Sequence, residues 1–80
     1  MKVVLYTGVA RKALRDLPSD MRDAIKAKIG RYAKTGAGDV SHLKGTHAAR
    51  LRSGDYRVIF LETADTLEVR AGGHRRNIYR

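Results

Sequence analysis

The sequence contains no cysteine and no tryptophan, and only one proline and one phenylalanine. Without cysteine there is no disulfide and no thiolate metal site to reinforce the chain, which fits a reducing compartment. Acidic residues are also scarce, with 8 Asp+Glu against 17 Lys+Arg and a net charge of +9. That imbalance points to a polyanionic partner: RNA, DNA or an acidic protein. Long apolar runs are missing too. The opening stretch, Val3-Val4-Leu5-Tyr6, is far too short for a secretory signal or a membrane span. No helical stretch is strongly apolar on one side and basic on the other, so a membrane surface is not the expected partner. A soluble, cytoplasmic protein is expected, folded as a single domain over residues 1–80. A chain of this size buries about 60–65% of the surface that its unfolded form exposes, so its core is thin.

The most informative stretch is Arg50-Leu51-Arg52-Ser53-Gly54-Asp55-Tyr56-Arg57-Val58-Ile59-Phe60. Ala49 and Leu51 alternate with Arg50 and Arg52, which predicts a strand with one apolar and one basic face. Ser53-Gly54-Asp55 reads as a tight connection in which Gly54 is free to take positive φ. A second strand is predicted from Tyr56 to about Glu62. The hairpin would hold its arginines ready for an anion, or simply expose them to solvent.

Around this hairpin the chain reads as strand, helix, helix and then a three-strand meander. Lys2 to Tyr6 is a predicted strand, rich in β-branched and large apolar residues. Thr7 could cap a first helix over 8–16, whose stripe is Val9, Ala10, Ala13, Leu14 and Leu17. Leu17-Pro18 ends it. Ser19 is the expected cap of a second helix over 20–34, with Asp20 and Asp23 in its first turn and Gly36 just past its end. Its stripe is Met21, Ala24, Ile25, Ile29, Tyr32 and Ala33. Thr35 to Ala48 is the least regular part. Thr63-Ala64-Asp65 is a turn, and the last strand runs over 66–72, with Leu67, Val69 and Ala71 on one side. Gly72-Gly73 breaks or bulges it. The class is α+β: a helical hairpin packed on one side of a mainly antiparallel sheet.

No cofactor is expected. Gly36-Ala37-Gly38 follows no strand and lacks the phosphate-loop pattern. His42 and His47 with Asp39 fall short of a zinc ligand set, so no metal site is expected.

Three motifs occur in order. They are Leu43-Lys44-Gly45, then Ala49-Arg50-Leu51-Arg52-Ser53-Gly54-Asp55-Tyr56-Arg57-Val58-Ile59-Phe60, then Gly73-His74-Arg75-Arg76-Asn77-Ile78-Tyr79. Together they closely resemble the RelE/ParE superfamily of type II toxins. That family shows a leucine-lysine/arginine-glycine step, an R-x-G-D-Y-R-[VIL] hairpin and a closing G-H-R-x-x-[VI]-Y. The closing motif favours the RelE branch, which implies an mRNA endoribonuclease acting in the ribosomal A site without a metal. The resemblance implies roles for Arg57 and Arg75 as transition-state arginines and for Tyr79 at the cleavage site. Arg50, a further catalytic candidate, falls where the family often has lysine in the same strand. Ala48 falls where some members carry a further lysine, which leaves the general base open. A cognate antitoxin with an acidic or amphipathic binding segment is also implied.

RNA brings its own nucleophile, the 2′-OH. Its attack needs a proton acceptor, cations for the phosphorane charge and an acid for the leaving 5′-oxygen. The planar fork of arginine suits the middle task. His74 is a candidate general acid or base, or else a plain turn residue. Tyr79 could stack on a base, move a proton, or only pack on the sheet. Lys44, Arg52 and Arg76 are expected to contact RNA, the arginines through its phosphate backbone. The alternatives are a ParE-like inhibitor of DNA gyrase and a basic nucleic-acid-binding module with no catalysis.

Overall fold

The alternation read at Ala49 to Arg52 is the frame on which the molecule is built. In the computed structural model, which describes residues 1–77, Ala49 and Leu51 are fully buried while Arg50 and Arg52 lie on the other face. The elements are β1 (Val3–Tyr6), α1 (Gly8–Arg15), α2 (Ser19–Thr35), β2 (Val40–His42), β3 (Ala48–Ser53), β4 (Tyr56–Glu62) and β5 (Thr66–His74). They form one five-stranded sheet in the order β1-β5-β4-β3-β2. β1 runs parallel to β5, and the other pairings are antiparallel. α1 lies over β5, and α2 lies over β1 and β3. This is the expected α+β architecture, with two helices on one face and the other face open.

The core sits between the helices and the sheet. Ala10, Leu14, Ile25, Ile29 and Ala33 come from the helices; Ala49, Leu51, Val58, Phe60, Leu67 and Val69 come from the strands. Both helices keep their apolar stripe against the sheet with one exception. Val9 is 72% exposed, because a stripe of Ala10 and Leu14 already fills the contact of this short helix. The first cap is as expected: the Ala10 N–H donates to Thr7 Oγ1 at 3.1 Å. The second is not. Ser19 is the first helical residue, Pro18 occupies the cap position, and no side chain caps it. Proline's fixed φ suits that boundary, so the backbone turn replaces the hydroxyl.

Two further departures concern strands. The stretch 35–48 contains β2, which pairs with β3 through Val40↔Leu51, Ser41↔Arg50 and His42↔Ala49. Three residues are too few for alternation to show in sequence. The second departure is a β-bulge. Ile59 pairs with Ala71 but Phe60 pairs with Val69, so Arg70 is the extra residue in β5. The bulge reverses the side-chain parity beyond it. Ala71 therefore lies on the open face, where simple alternation from Leu67 and Val69 puts it inside. Gly72 faces inward instead, within 3.5–3.8 Å of Leu14 and Val58 were it to carry a Cβ. The glycine pair does not end the strand, which continues to His74.

A polar clip closes one end of the core. Glu62 Oε2 accepts from Lys2 Nζ at 2.7 Å, and Oε1 accepts from the Tyr32 hydroxyl at 2.8 Å. His42 Nε2 lies 2.9 Å from the same Oε1. The Tyr32 ring tilts against Phe60 with centroids 5.6 Å apart. One carboxylate thus joins the ends of β1, α2, β2 and β4. Burial alone would raise the Glu62 carboxyl, but the hydrogen bonds from Lys2, His42 and Tyr32 outweigh it and hold it down to about 2. Burial, and then the bond to Glu62, push the Tyr32 hydroxyl up to about 12. His42 is therefore a partner of Glu62, and no group of three or more metal-ligating side chains occurs among the described residues.

Candidate active site

The open face of the sheet carries the basic side chains in register. Arg52 pairs with Arg57 across β3 and β4, and Arg57 pairs with Gly73 across β4 and β5. One step along, Ser41, Arg50, Ile59 and Ala71 form the next row. Partners across an antiparallel pair share a face, so strand geometry alone brings these arginines together. Gly73 offers no side chain opposite Arg57, which leaves the space above that position open.

The β3–β4 turn fixes the two central arginines. Gly54 takes φ +61°, as expected of this connection. Its carbonyl accepts from Arg57 Nη1 at 2.8 Å, and the Tyr56 carbonyl accepts from the same nitrogen at 3.0 Å. Two backbone acceptors thus restrain the side chain before any ligand arrives. Asp55 does the same for Arg75. The Arg75 N–H donates to the Asp55 carbonyl at 2.8 Å, and Arg75 Nε lies 3.8 Å from Asp55 Oδ1. The chain leaving β5 is therefore bonded to the very turn that holds Arg57.

These residues line a cavity of about 570 Å³ formed by Asp39, Ser41, Arg50, Arg52, Arg57, Arg75 and Arg76. Five arginines face a single carboxylate there. Like charges gathered this closely repel one another, and an anion in the cavity relieves the repulsion. Asp39 is 3.9 Å from Arg52 Nε, and its carbonyl accepts from the Arg52 N–H at 2.9 Å.

Of the residues singled out in the sequence, Arg50, Arg52, Arg57, Arg75 and Arg76 come together here. Lys44 does not line the cavity; it sits in the turn after β2. His74 does not line it either. The bulge at Arg70 sets its parity, so it pairs with Tyr56 on the helix-side face. Its ring meets the Tyr56 ring edge-on, with centroids 5.6 Å apart, and Nδ1 accepts from the Arg76 N–H at 3.2 Å. Tyr79 and Ile78 lie outside the described residues. Sequence reading missed Asp39, Ser41 and the anchoring role of Asp55. The first two are placed by β2, for which the sequence carries no periodic signal. Asp55 was visible as a turn residue, and only the contact with Arg75 shows what else it does.

No protein-family model matches the chain, and no curated protein matches it by sequence. Solved structures do. A chain of the RelB-RelE antitoxin-toxin complex from Methanococcus jannaschii shares 28% identity and superposes with a TM-score of 0.78, covering 94% of each chain. The archaeal RelE-RelB complex from Pyrococcus horikoshii OT3 gives 24% identity and 0.80, covering 95% of this chain and 97% of that one. The chain has the RelE-superfamily toxin fold. The likeness extends to YafQ from E. coli strain BL21(DE3), at 11% identity and a TM-score of 0.78 over the full length of both chains. At that identity only the fold is shared. The arginine cavity of this RelE-like chain is thus built from its own residues on a scaffold common to these toxins.

Proposed function

We propose that this protein is the toxin of a type II toxin–antitoxin system and that it cleaves messenger RNA, in the ribosomal A site, by attack of the 2′-OH on the neighbouring phosphate. The observation that carries this reading is the convergence of Arg57 and Arg75 on one cavity of the open sheet face. Each of the two is held by the same turn. In-line attack gives a phosphorane with charge on its equatorial oxygens. Preorganised donors aimed at that charge lower the barrier most, because they need no rearrangement during the reaction. The bond from phosphorus to the 5′-oxygen then breaks, leaving a 2′,3′-cyclic phosphate and a 5′-hydroxyl.

The remaining arginines have simpler work. Arg50, Arg52 and Arg76 hold flanking phosphates and set the register of the strand. Tyr79 stacks on a base next to the cut or assists proton movement. An ordinary tyrosine, near pKa 10, ionises at neutral pH only with cations beside it. No step calls on a metal or cofactor.

The matched structures from Methanococcus jannaschii and Pyrococcus horikoshii are antitoxin–toxin complexes, which supports an antitoxin as the protein partner of this chain. A segment of acidic or amphipathic character that covers the arginine face would block the cavity. Primer-extension mapping of messages after brief expression tests the function. Discrete cuts within codons are expected. Intact messages accompanied by DNA damage would instead indicate gyrase poisoning and overturn the reading.

A further inference from the structure

A second cavity of about 400 Å³ adjoins the first. It is lined by Lys28, Arg31, Ala37, Gly38, Asp39, Leu51, Arg52 and Gly54. Asp39 and Arg52 line both cavities, so the two lie on either side of this pair at the β2 end of the sheet. The walls differ from those of the arginine cavity. Ala37, Gly38, Leu51 and Gly54 are small or apolar, while Lys28 and Arg31 stand three apart on α2 and so project from one side of the helix. Both cations are exposed, and neither forms an ion pair among the described residues.

We propose that this second cavity is a nucleotide subsite for the same single RNA strand whose phosphate lies against Arg57 and Arg75. The inference rests on the cleavage reading given above and names a part of the substrate that the reading leaves unplaced. Its volume falls in the range of pockets that take one small ligand, about 300–1,000 Å³. A planar base fits against the uncharged, exposed wall of Ala37, Gly38 and Gly54. Asp39 accepts a hydrogen bond from a base amino group or a ribose hydroxyl, and Lys28 and Arg31 meet the phosphates on either side. The step from Arg57 to Arg52 is one inter-strand spacing, about 4.8 Å. The second cavity begins at Arg52, so it receives a nucleotide close to the scissile one. An acidic peptide would also satisfy the two cations, but the sharing of Arg52 and Asp39 with the first cavity favours the strand already anchored there.

The test uses a mixed-sequence 2′-O-methyl RNA dodecamer, which lacks the nucleophile and stays intact. Its affinity is measured by fluorescence anisotropy at several salt concentrations. The variant Lys28→Gln/Arg31→Gln is compared with the charge-matched control Arg11→Gln/Lys12→Gln on α1. Losing two phosphate contacts should weaken binding roughly tenfold and reduce the slope of log K against log salt by about 1.4. The control should change both far less. On addition of the dodecamer to the parent protein, the backbone amide signals of Ala37 and Gly38 should move. Equal behaviour of variant and control, or unmoved Ala37 and Gly38 signals, overturns the subsite. The cleavage reading fails separately: it falls if Arg57→Ala cuts RNA at the parental rate, whatever the dodecamer shows.

Discussion

At the residue scale, Glu62 and Arg57 show how single side chains are positioned by several neighbours at once. Glu62 is mostly buried and holds Lys2, Tyr32 and His42 together. Glu62→Ala should cost about 2–3 kcal/mol, because it removes the carboxylate that Lys2, Tyr32 and His42 share at the edge of the core. The pH dependence follows from the direction of each shift. The Glu62 carboxyl is held down to about 2 in the fold, so its contribution is complete above the ordinary carboxylate range and is lost as pH falls from about 4.3 toward 2. Tyr32 is raised to about 12, so its contribution is present below the ordinary tyrosine value and is lost as pH climbs through 12. Urea titrations at pH 7 and pH 3 check the acid limb. Glu62→Gln should flatten that dependence while retaining some of the hydrogen bonding; an unchanged dependence would remove Glu62 from the account.

Tyr79 makes a second prediction at this scale. Under the proposed mechanism Tyr79→Ala loses most cleavage. If the ring only stacks, Tyr79→Phe keeps it; if the hydroxyl carries a proton, Tyr79→Phe falls with Tyr79→Ala. Single-turnover cleavage rates separate the two, and parental rates in both variants would take Tyr79 out of the site.

At the scale of elements, the junction of β1, α1 and β5 places the arginine-bearing face. Thr7 accepts from the Ala10 N–H and, at 3.4 Å, donates to the carbonyl of the bulged residue Arg70. Its own N–H donates to the Val69 carbonyl. Thr7→Ala should cost about 1 kcal/mol through loss of the cap. For a domain of this size that lowers Tm by roughly 4–8 °C, which calorimetry reads directly. Much of this architecture was legible. The Thr7 cap, the Ser53-Gly54-Asp55 connection and the buried alternation of Ala49 and Leu51 all follow from local chemistry, and all stand. The bulge was not legible. Arg70 is an ordinary strand residue by composition, and only pairing with β4 reveals it as the extra one. Its consequence reaches the site, since it turns His74 toward Tyr56 and lets Arg75 leave the strand beside Asp55. β2 escaped for a related reason: it is defined by its partner β3, and three residues carry no period of their own. Ser19 and Val9 were misassigned because a serine or valine suits its local pattern whether or not the tertiary structure uses it.

At the scale of the whole molecule, the helices cover one face of the sheet and leave the arginines on the other. Five of the 17 basic residues, Arg50, Arg52, Arg57, Arg75 and Arg76, therefore gather where no helix covers them. Such a surface draws a polyanion from a distance and loses that advantage as salt rises. The acidic or amphipathic antitoxin segment proposed above would relieve the same self-repulsion. The central claim is that the cavity around Arg57 and Arg75 performs chemistry on RNA and does not merely bind it. The most direct test is the single-turnover cleavage rate of messenger RNA on programmed ribosomes, comparing the parent protein with a folded Arg57→Ala variant. Removing an electrostatic group of this kind should slow cleavage about 100- to 1000-fold with the fold intact by circular dichroism. A folded Arg57→Ala protein that cuts at the parental rate would contradict the account.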